Sequence, residues 1–194
     1  MVNNTAIILS DKETRLIAGC VACNRTFQSE LYTIYAPKMM IVCMRYSKNL
    51  EEAEEILQDG FMRVFKFIKQ FKQEGSLEGW IRKIMVNCAL QKLRSQVNLR
   101  PVISLDAESN NYSSNIDIAG DLRGKELLKL IQNLSPAYRM VFNLYHFEGL
   151  KHREIAALLK IEEGTSKSNL AQAKKNLQNA VIQNLKIAKQ THNG

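Results

Sequence analysis

From Ser95 to about Asp121 the chain reads "SQVNLRPVISLDAESNNYSSNIDIAGD", and apolar periodicity vanishes. The stretch is rich in Ser and Asn and contains Pro101. It is longer than the loops found inside compact domains and too polar to bury a core of its own. On both sides, apolar residues recur at spacings of three and four, the signature of amphipathic helices. A chain of 194 residues divided in this way has room for two small domains. Three prolines, nine glycines and few β-branched runs favour helices over sheets. The expected fold is all-α: an N-terminal tail over 1–15, a helical domain over 16–95, a flexible linker over 96–121 and a second helical domain over 122–190.

In the first domain, Phe27, Leu31 and Tyr35 share a stripe, and Pro37 is expected to end or kink their helix. Met39, Met40, Cys43 and Tyr46 restart it as core filler. Asn49 can cap the next helix by accepting from the Glu52 amide, with Glu52 reaching back. Ile56, Phe61, Val64, Phe65 and Ile68 supply its apolar positions, and Phe61 and Phe65 are expected in the core. "QEGSLEG" breaks the chain at Gly75, and Trp80 to Arg94 forms a further helix.

In the second domain, Leu127, Ile131 and Leu134 mark one helix. Ser135-Pro136 starts another, with Ser as cap and Pro in the first turn. "KHREIAALLKI", "EEG" and "TSKSNLAQAKKNLQNAVI" then read as helix, short turn, helix. Ile155, Leu158 and Leu159 line the first of these. Leu170, Ala173, Leu177 and Val181 line the second, and small Ala156 and Ala173 allow close approach.

Net charge is +8 with pI about 9.4, which points to a polyanionic partner, nucleic acid or an acidic membrane surface. No apolar run approaches the ~18 residues of a membrane span. "MVNNTAIILSDKETR" lacks the basic start and long apolar stretch of a secretory signal, so a cytoplasmic location is expected. There Cys20, Cys23, Cys43 and Cys88 default to free thiols. Cys20-x-x-Cys23 has no partner pair, so buried small hydrophobes are favoured over a metal or redox site. His146, His152 and His192 are scattered, with His152 expected at the surface. No carboxylate–histidine constellation supports an enzyme, and no metal or cofactor is expected.

After Gly164 no acidic residue occurs again, while Lys167, Lys174, Lys175, Lys186 and Lys189 follow. The outward face of the last helix is expected to carry Lys167, Ser168, Asn169, Gln172 and Lys175. These donors suit phosphates and base edges, and a recognition helix docks through its N-terminal residues. A solvated lysine-rich face is the bland alternative; the short turn and the polar N-terminal cluster favour DNA. Between Phe61 and Arg94, Arg63, Lys66, Lys69, Lys72, Arg82, Lys83, Lys92 and Arg94 are interleaved with Phe65, Phe67, Phe71 and Trp80. Basic grooves with stacking rings hold single strands; Trp80 can be core or groove. Glu51, Glu52, Glu54, Glu55 and Asp59, by contrast, form an acidic helix suited to a protein partner, or a solvated face favoured by the helix dipole.

From about Leu16 to Leu185 these motifs resemble the sigma-70 family of bacterial sigma factors, in the extracytoplasmic-function class that has only regions 2 and 4. "EEAEEILQDGFMRVF" resembles the region 2 helix that grips the β′ clamp coiled coil of core RNA polymerase. "GWIRKIMVNCALQKLR" resembles the promoter −10 reader, and "LSPAYRMVFNLYHFEGLKHREIAALLKIEEGTSKSNLAQAKKNL" resembles region 4. The resemblance implies polymerase contact through Glu55, Gln58, Asp59 and Phe61, with the β flap as a second docking point. It implies −10 contact through Trp80, Lys83, Asn87 and Arg94, with a flipped base captured near Gln73–Gly79 and Asn87. It implies −35 contact through Lys167, Ser168, Asn169, Ala171, Gln172, Lys174 and Lys175. The linker, with Asp106, Glu108, Asp117 and Asp121, would run towards the polymerase cleft. An anti-sigma factor is a further partner common in the class.

Several positions depart from the family pattern. Gln91 stands where Asp is common. Lys151 replaces a Ser or Thr cap, so a frayed helix start is expected. Lys160 stands where Gly often makes the turn, and a positive φ there costs ~1 kcal/mol. Asn169 and Gln172 stand where Arg is frequent, which implies a −35 preference less dependent on guanine. The alternative function is a stand-alone helix-turn-helix regulator whose first domain senses or dimerises.

Overall fold

A computed structural model of the chain describes residues 11–98 and 122–191, with side chains over 11–94 and 124–184. Among the described residues every regular element is helical. The chain divides into two compact units, Met1–Ser95 and Gln96–Gly194. Residues 99–121 of the expected linker, with Asp106, Glu108, Asp117 and Asp121, lie outside the described residues.

The first unit contains α1 (Asp11–Val21), α2 (Arg25–Tyr46), α3 (Leu50–Phe67), a 3-10 turn (Ile68–Gln70) and α4 (Leu77–Asn98). Two expected boundaries move. Residues 11–15, assigned to a tail, are the first turns of α1, with Asp11 and Glu13 at its positive N-terminal end. Helix α4 starts three residues before Trp80 and runs into the stretch read as linker. Ser76 sets that start, since its Oγ accepts from the Gly79 amide at 3.1 Å. The loop before it contains Gly75 at φ +139° and Gln73 at φ +60°.

Pro37 does not end α2, which is continuous from Arg25 to Tyr46. A proline inside a helix costs about 3 kcal/mol. Leu31, Tyr35 and Ala36 before it, and Met39, Val42 and Cys43 after it, are all buried. Burying one large apolar side chain contributes about 1.5–3 kcal/mol, so the two turns together outweigh the proline. The start of α3 behaves as a capping box displaced by one residue. Asn49 Oδ1 accepts from the Glu52 amide at 3.0 Å, but Glu52 Oε2 reaches back to the Lys48 amide, at 2.7 Å.

Two glycines set how closely the helices of this unit approach. A Cβ at Gly60 would lie 2.1 Å from Met85 Sδ, so α3 and α4 meet where α3 has no side chain. A Cβ at Gly19 would lie 2.2 Å from the Phe27 ring. Phe61 is buried against Tyr32, with ring centroids 4.7 Å apart, whereas Phe65, expected in the core, is only half-buried beside it. Cys20, Cys43 and Cys88 are buried as expected, but Cys23 is exposed. Cys23 takes the left-handed position (φ 56°) that closes α1, with the Asn24 amide bonded to Gly19 O at 3.0 Å, and this turns its side chain outward.

The second unit contains α5 (Leu122–Gln132), α6 (Pro136–His146), α7 (His152–Leu159) and α8 (Glu163–Thr191). Ile131, Leu134, Ala173 and Leu177 form a core cluster, joined by half-buried Tyr138, Phe142 and Phe147. Pro136 opens α6, but the Ser135 hydroxyl makes no cap hydrogen bond. Buried Arg139 instead donates to Leu134 O at 3.0 Å, satisfying a carbonyl at the α5–α6 corner. Val181, expected to line α8's inner face, is exposed, because the core ends at Leu177 while the helix continues.

Substituting Gly60 by Val should destabilise the first unit by about 1–3 kcal/mol, since the new side chain must displace buried Met85; urea denaturation followed by circular dichroism measures this. A second expectation concerns alkaline pH. Burial, then the neighbouring Cys88, pushes the Cys43 thiol up to about 12, and burial, then Glu13, pushes the Tyr35 hydroxyl up to about 12. Both groups hold their protons more tightly folded than unfolded. Their contribution is therefore complete below their unfolded pKa values, 9.0 and 10.0, and is lost as pH rises towards about 12. Stability measured across that window should fall, and the fall should be shallower in Cys43→Ala.

Candidate nucleic-acid interface

Helix α4 buries Leu77, Ile81, Met85, Val86, Cys88, Ala89 and Leu90. The fully exposed residues that remain fall on one narrow stripe, with half-buried Glu78, Arg82, Ile84, Lys92 and Leu93 beside it. Trp80, Lys83, Asn87, Gln91 and Arg94 follow at spacings of three and four, so they share one face. Lys83, Asn87, Gln91 and Arg94 are exposed, and Trp80 is half-buried. Trp80 is thus neither wholly core nor wholly groove: its ring packs on Phe71 at 5.6 Å, and the residue is only partly buried. Trp80 and Asn87 lie two turns apart, about 10 Å along the axis. Two cross-helix ion pairs hold α4 against its neighbours: Lys38–Glu78 at 2.6 Å from α2, and Glu55–Lys92 from α3.

The acidic face of α3 is exposed at Glu51, Glu54, Glu55, Gln58 and Asp59. Met62, one turn beyond Gln58, is 71% exposed. Phe61, grouped with the contact residues in the sequence, is 3% exposed and points into the core. It supports the acidic face from beneath and offers a partner no surface in this unit.

In the second unit, α7 and α8 are joined by a turn at Lys160, whose backbone is left-handed (φ 56°, ψ 46°). The Ile161 amide closes the turn on Ala156 O at 3.0 Å. The start of α7 is held without a Ser or Thr cap. Glu154 Oε2 accepts from the Lys151 amide at 2.7 Å, the glutamate half of a capping box, and the Glu154 amide donates to the Lys151 carbonyl at 2.9 Å in place of a side-chain cap.

Helix α8 buries Ser166, Leu170, Ala173 and Leu177. By helical spacing, the opposite face carries Ser168, Ala171, Gln172 and Lys175. Gln172 Nε2 donates to Asn176 Oδ1 at 3.0 Å, and Ser168 Oγ to Thr165 O. The other expected contacts flank this stripe. Lys167 pairs with Glu163 at 2.7 Å, and that hydrogen bond holds the Glu163 carboxyl below its usual range. Lys174 lies over the Tyr145 ring at 5.8 Å. Asn169 is half-buried on the other flank.

Against known families, residues 31–98 match the description "Sigma-70 region 2" and residues 124–177 match "Sigma-70, region 4". The chain belongs to the sigma-70 family, in its extracytoplasmic-function class. It is 29% identical over 156 residues to the ECF RNA polymerase sigma factor SigE of Mycolicibacterium smegmatis, a match spanning 76% of this chain and 59% of that protein. It is 25% identical over 159 residues to the ECF RNA polymerase sigma-E factor of Escherichia coli K12, across 76% of this chain and 82% of the relative. Among solved structures it is similar to the sigma factor RpoE of Bartonella quintana bound to the anti-sigma factor NepR, with TM-score 0.47, 20% identity and coverage of 79% and 95%. It is also similar to CnrH in complex with the cytosolic domain of CnrY, with TM-score 0.46, 16% identity and coverage of 88% and 97%. Sigma factors form a family of transcription initiation factors.

The region 2 match of this sigma-70 member spans α2 to α4 and so includes both the acidic face and the α4 stripe. The region 4 match spans α5 to Leu177 of α8. Sequence reasoning placed one of these residues wrongly and passed over another. His152, expected at the surface, is half-buried, and Ser166, for which the sequence raised no expectation, is fully buried beside it. The signal available for Ser166 was its spacing of four from Leu170, which puts it on the buried face.

Since Lys160 pays a left-handed backbone that Gly would adopt freely, Lys160→Gly should stabilise the second unit by about 1 kcal/mol; thermal melting checks this.

Proposed function

We propose that this chain is an alternative sigma factor, which docks on core RNA polymerase, recognises −35 and −10 promoter elements and promotes promoter melting without catalysis of its own. The observation that carries the reading is the pairing of two exposed polar stripes, one in each matched region. The α4 stripe puts a partly buried ring, Trp80, in line with Lys83, Asn87 and Arg94. A ring and donors in line suit a melted strand, with the ring stacking on a base and the cations meeting phosphates. The α8 stripe puts Ser168, Ala171, Gln172 and Lys175 at the start of a helix that follows a tight turn, which suits the major groove of a duplex. Lys167, Lys174 and Asn169, on its flanks, are placed for phosphates and groove walls.

Gln58 and Asp59, with Glu55 beside them, form the polymerase-docking face for the β′ clamp coiled coil, and the second unit docks on the β flap. An anti-sigma factor is a further protein partner, to be sought by co-purification from the native host. The site of action is the cytoplasm, where the polymerase works; among the described residues no helix is long and apolar enough to cross a membrane. The alternative of a stand-alone regulator gives no account of an acidic face beside the α4 stripe.

Run-off transcription with core polymerase on genomic fragments tests the reading: specific transcripts are expected only with the sigma factor added. Asp59→Lys should abolish capture of core polymerase while leaving the circular dichroism spectrum unchanged. Lys175→Ala should weaken −35 duplex binding uniformly across sequences and lower the salt slope by about one. Gln172→Arg should shift selected −35 sequences towards guanine; identical selected sequences would defeat that assignment.

A further inference from the structure

The first turn of α8 is tied to the first turn of α7 by one polar contact. His152 Nδ1 and Ser166 Oγ lie 2.9 Å apart, and Ser166 is fully buried. The other side of the imidazole is covered: His152 stacks on the Tyr145 ring of α6, centroids 5.0 Å apart and planes at 25°. Tyr145 in turn meets Lys174 of α8 at 5.8 Å. One continuous chain of contacts, Ser166–His152–Tyr145–Lys174, therefore joins α8 to α7 and α6 and returns to α8 two turns later. It engages α8 from the flank and touches none of Ser168, Ala171, Gln172 or Lys175.

We infer that His152 and Ser166 are positioning residues for the −35 reader: their hydrogen bond fixes the rotation of α8 about its own axis relative to α7. The physical reason lies in the rest of the packing. Leu170, Ala173 and Leu177 supply apolar contact, which is non-directional and tolerates small rotations of a helix. A hydrogen bond between two side chains, one buried and the other clamped by a ring, does not. Rotation of α8 carries Gln172 and Lys175 across the groove, so a small loss of alignment costs base contacts while leaving the helix formed. His152 thus acts on recognition through α8 without touching DNA. The inference rests on α8 being the DNA reader.

The test uses the full chain bound to core polymerase and a fluorescent duplex selected from a random pool by the unsubstituted holoenzyme. His152→Phe keeps the ring stack and removes the hydrogen bond; Ser166→Ala removes it from the other side; His152→Asn restores a polar partner. Each of the first two should weaken duplex binding about tenfold, the double variant should be no weaker than either, and His152→Asn should recover most of the affinity. Melting midpoints of the second unit should stay close to the parent. Full affinity in His152→Phe, additive losses in the double variant, or losses that track the melting midpoint would each overturn the inference. Lys175→Ala separates the two layers: if it too leaves binding unchanged, the DNA-reading assignment of α8 fails; if it weakens binding while His152→Phe does not, only the positioning role fails.

Discussion

The burial of α4 constrains everything else in the first unit. Seven of its side chains from Leu77 to Leu90 are buried, and Met85 occupies the gap opposite Gly60. A helix so committed has a single narrow face left. The residues on that face cannot be exchanged for others by rolling the helix, because rolling would expose Ile81 and Met85. Burial thereby determines which polar side chains stand in line, and the Lys38–Glu78 and Glu55–Lys92 pairs pin the helix against α2 and α3.

The second unit solves the same problem differently. Its helix α8 is held by few large side chains, with small Ala173 at the contact and Ser166 where an apolar residue would serve packing alone. Alignment there depends on directional contacts at the α7–α8 corner. The left-handed Lys160 and the Glu154 carboxylate shape the backbone, and His152 and Ser166 tie the two helix starts together. The sequence departs from the usual pattern at Lys151 and Lys160, yet the corner forms, because the carboxylate and the Ala156 carbonyl supply bonds that do not depend on those side chains.

Helix identity and family membership were legible from periodicity and motif spacing, and the α4 stripe follows from reading positions 80, 83, 87 and 94 at helical spacing. What could not be read were effects set by tertiary context. Pro37 argues locally against a helix, and only burial on both sides of it overrides that. Phe61 and Phe65 look equivalent in sequence, but one lies under Tyr32 and the other at the edge. His152 carried no pattern, since its burial depends on Tyr145 and Ser166, which belong to the neighbouring helices α6 and α8. Lys167 reads as an outward donor, yet its ammonium is paired with Glu163 one turn earlier.

That pairing has a consequence for binding rate. Glu163 is the last acid in the chain and sits in the first turn of α8, where the helix dipole favours it, and its ion pair with Lys167 closes the first turn. The pair favours a formed first turn in the free chain, although it accepts none of the terminal backbone amides. A helix that is already formed has little ordering entropy still to lose when it meets a partner. At the proposed −35 contact, association is then governed by long-range attraction between the lysines that follow Gly164 and phosphates rather than by a coupled folding step.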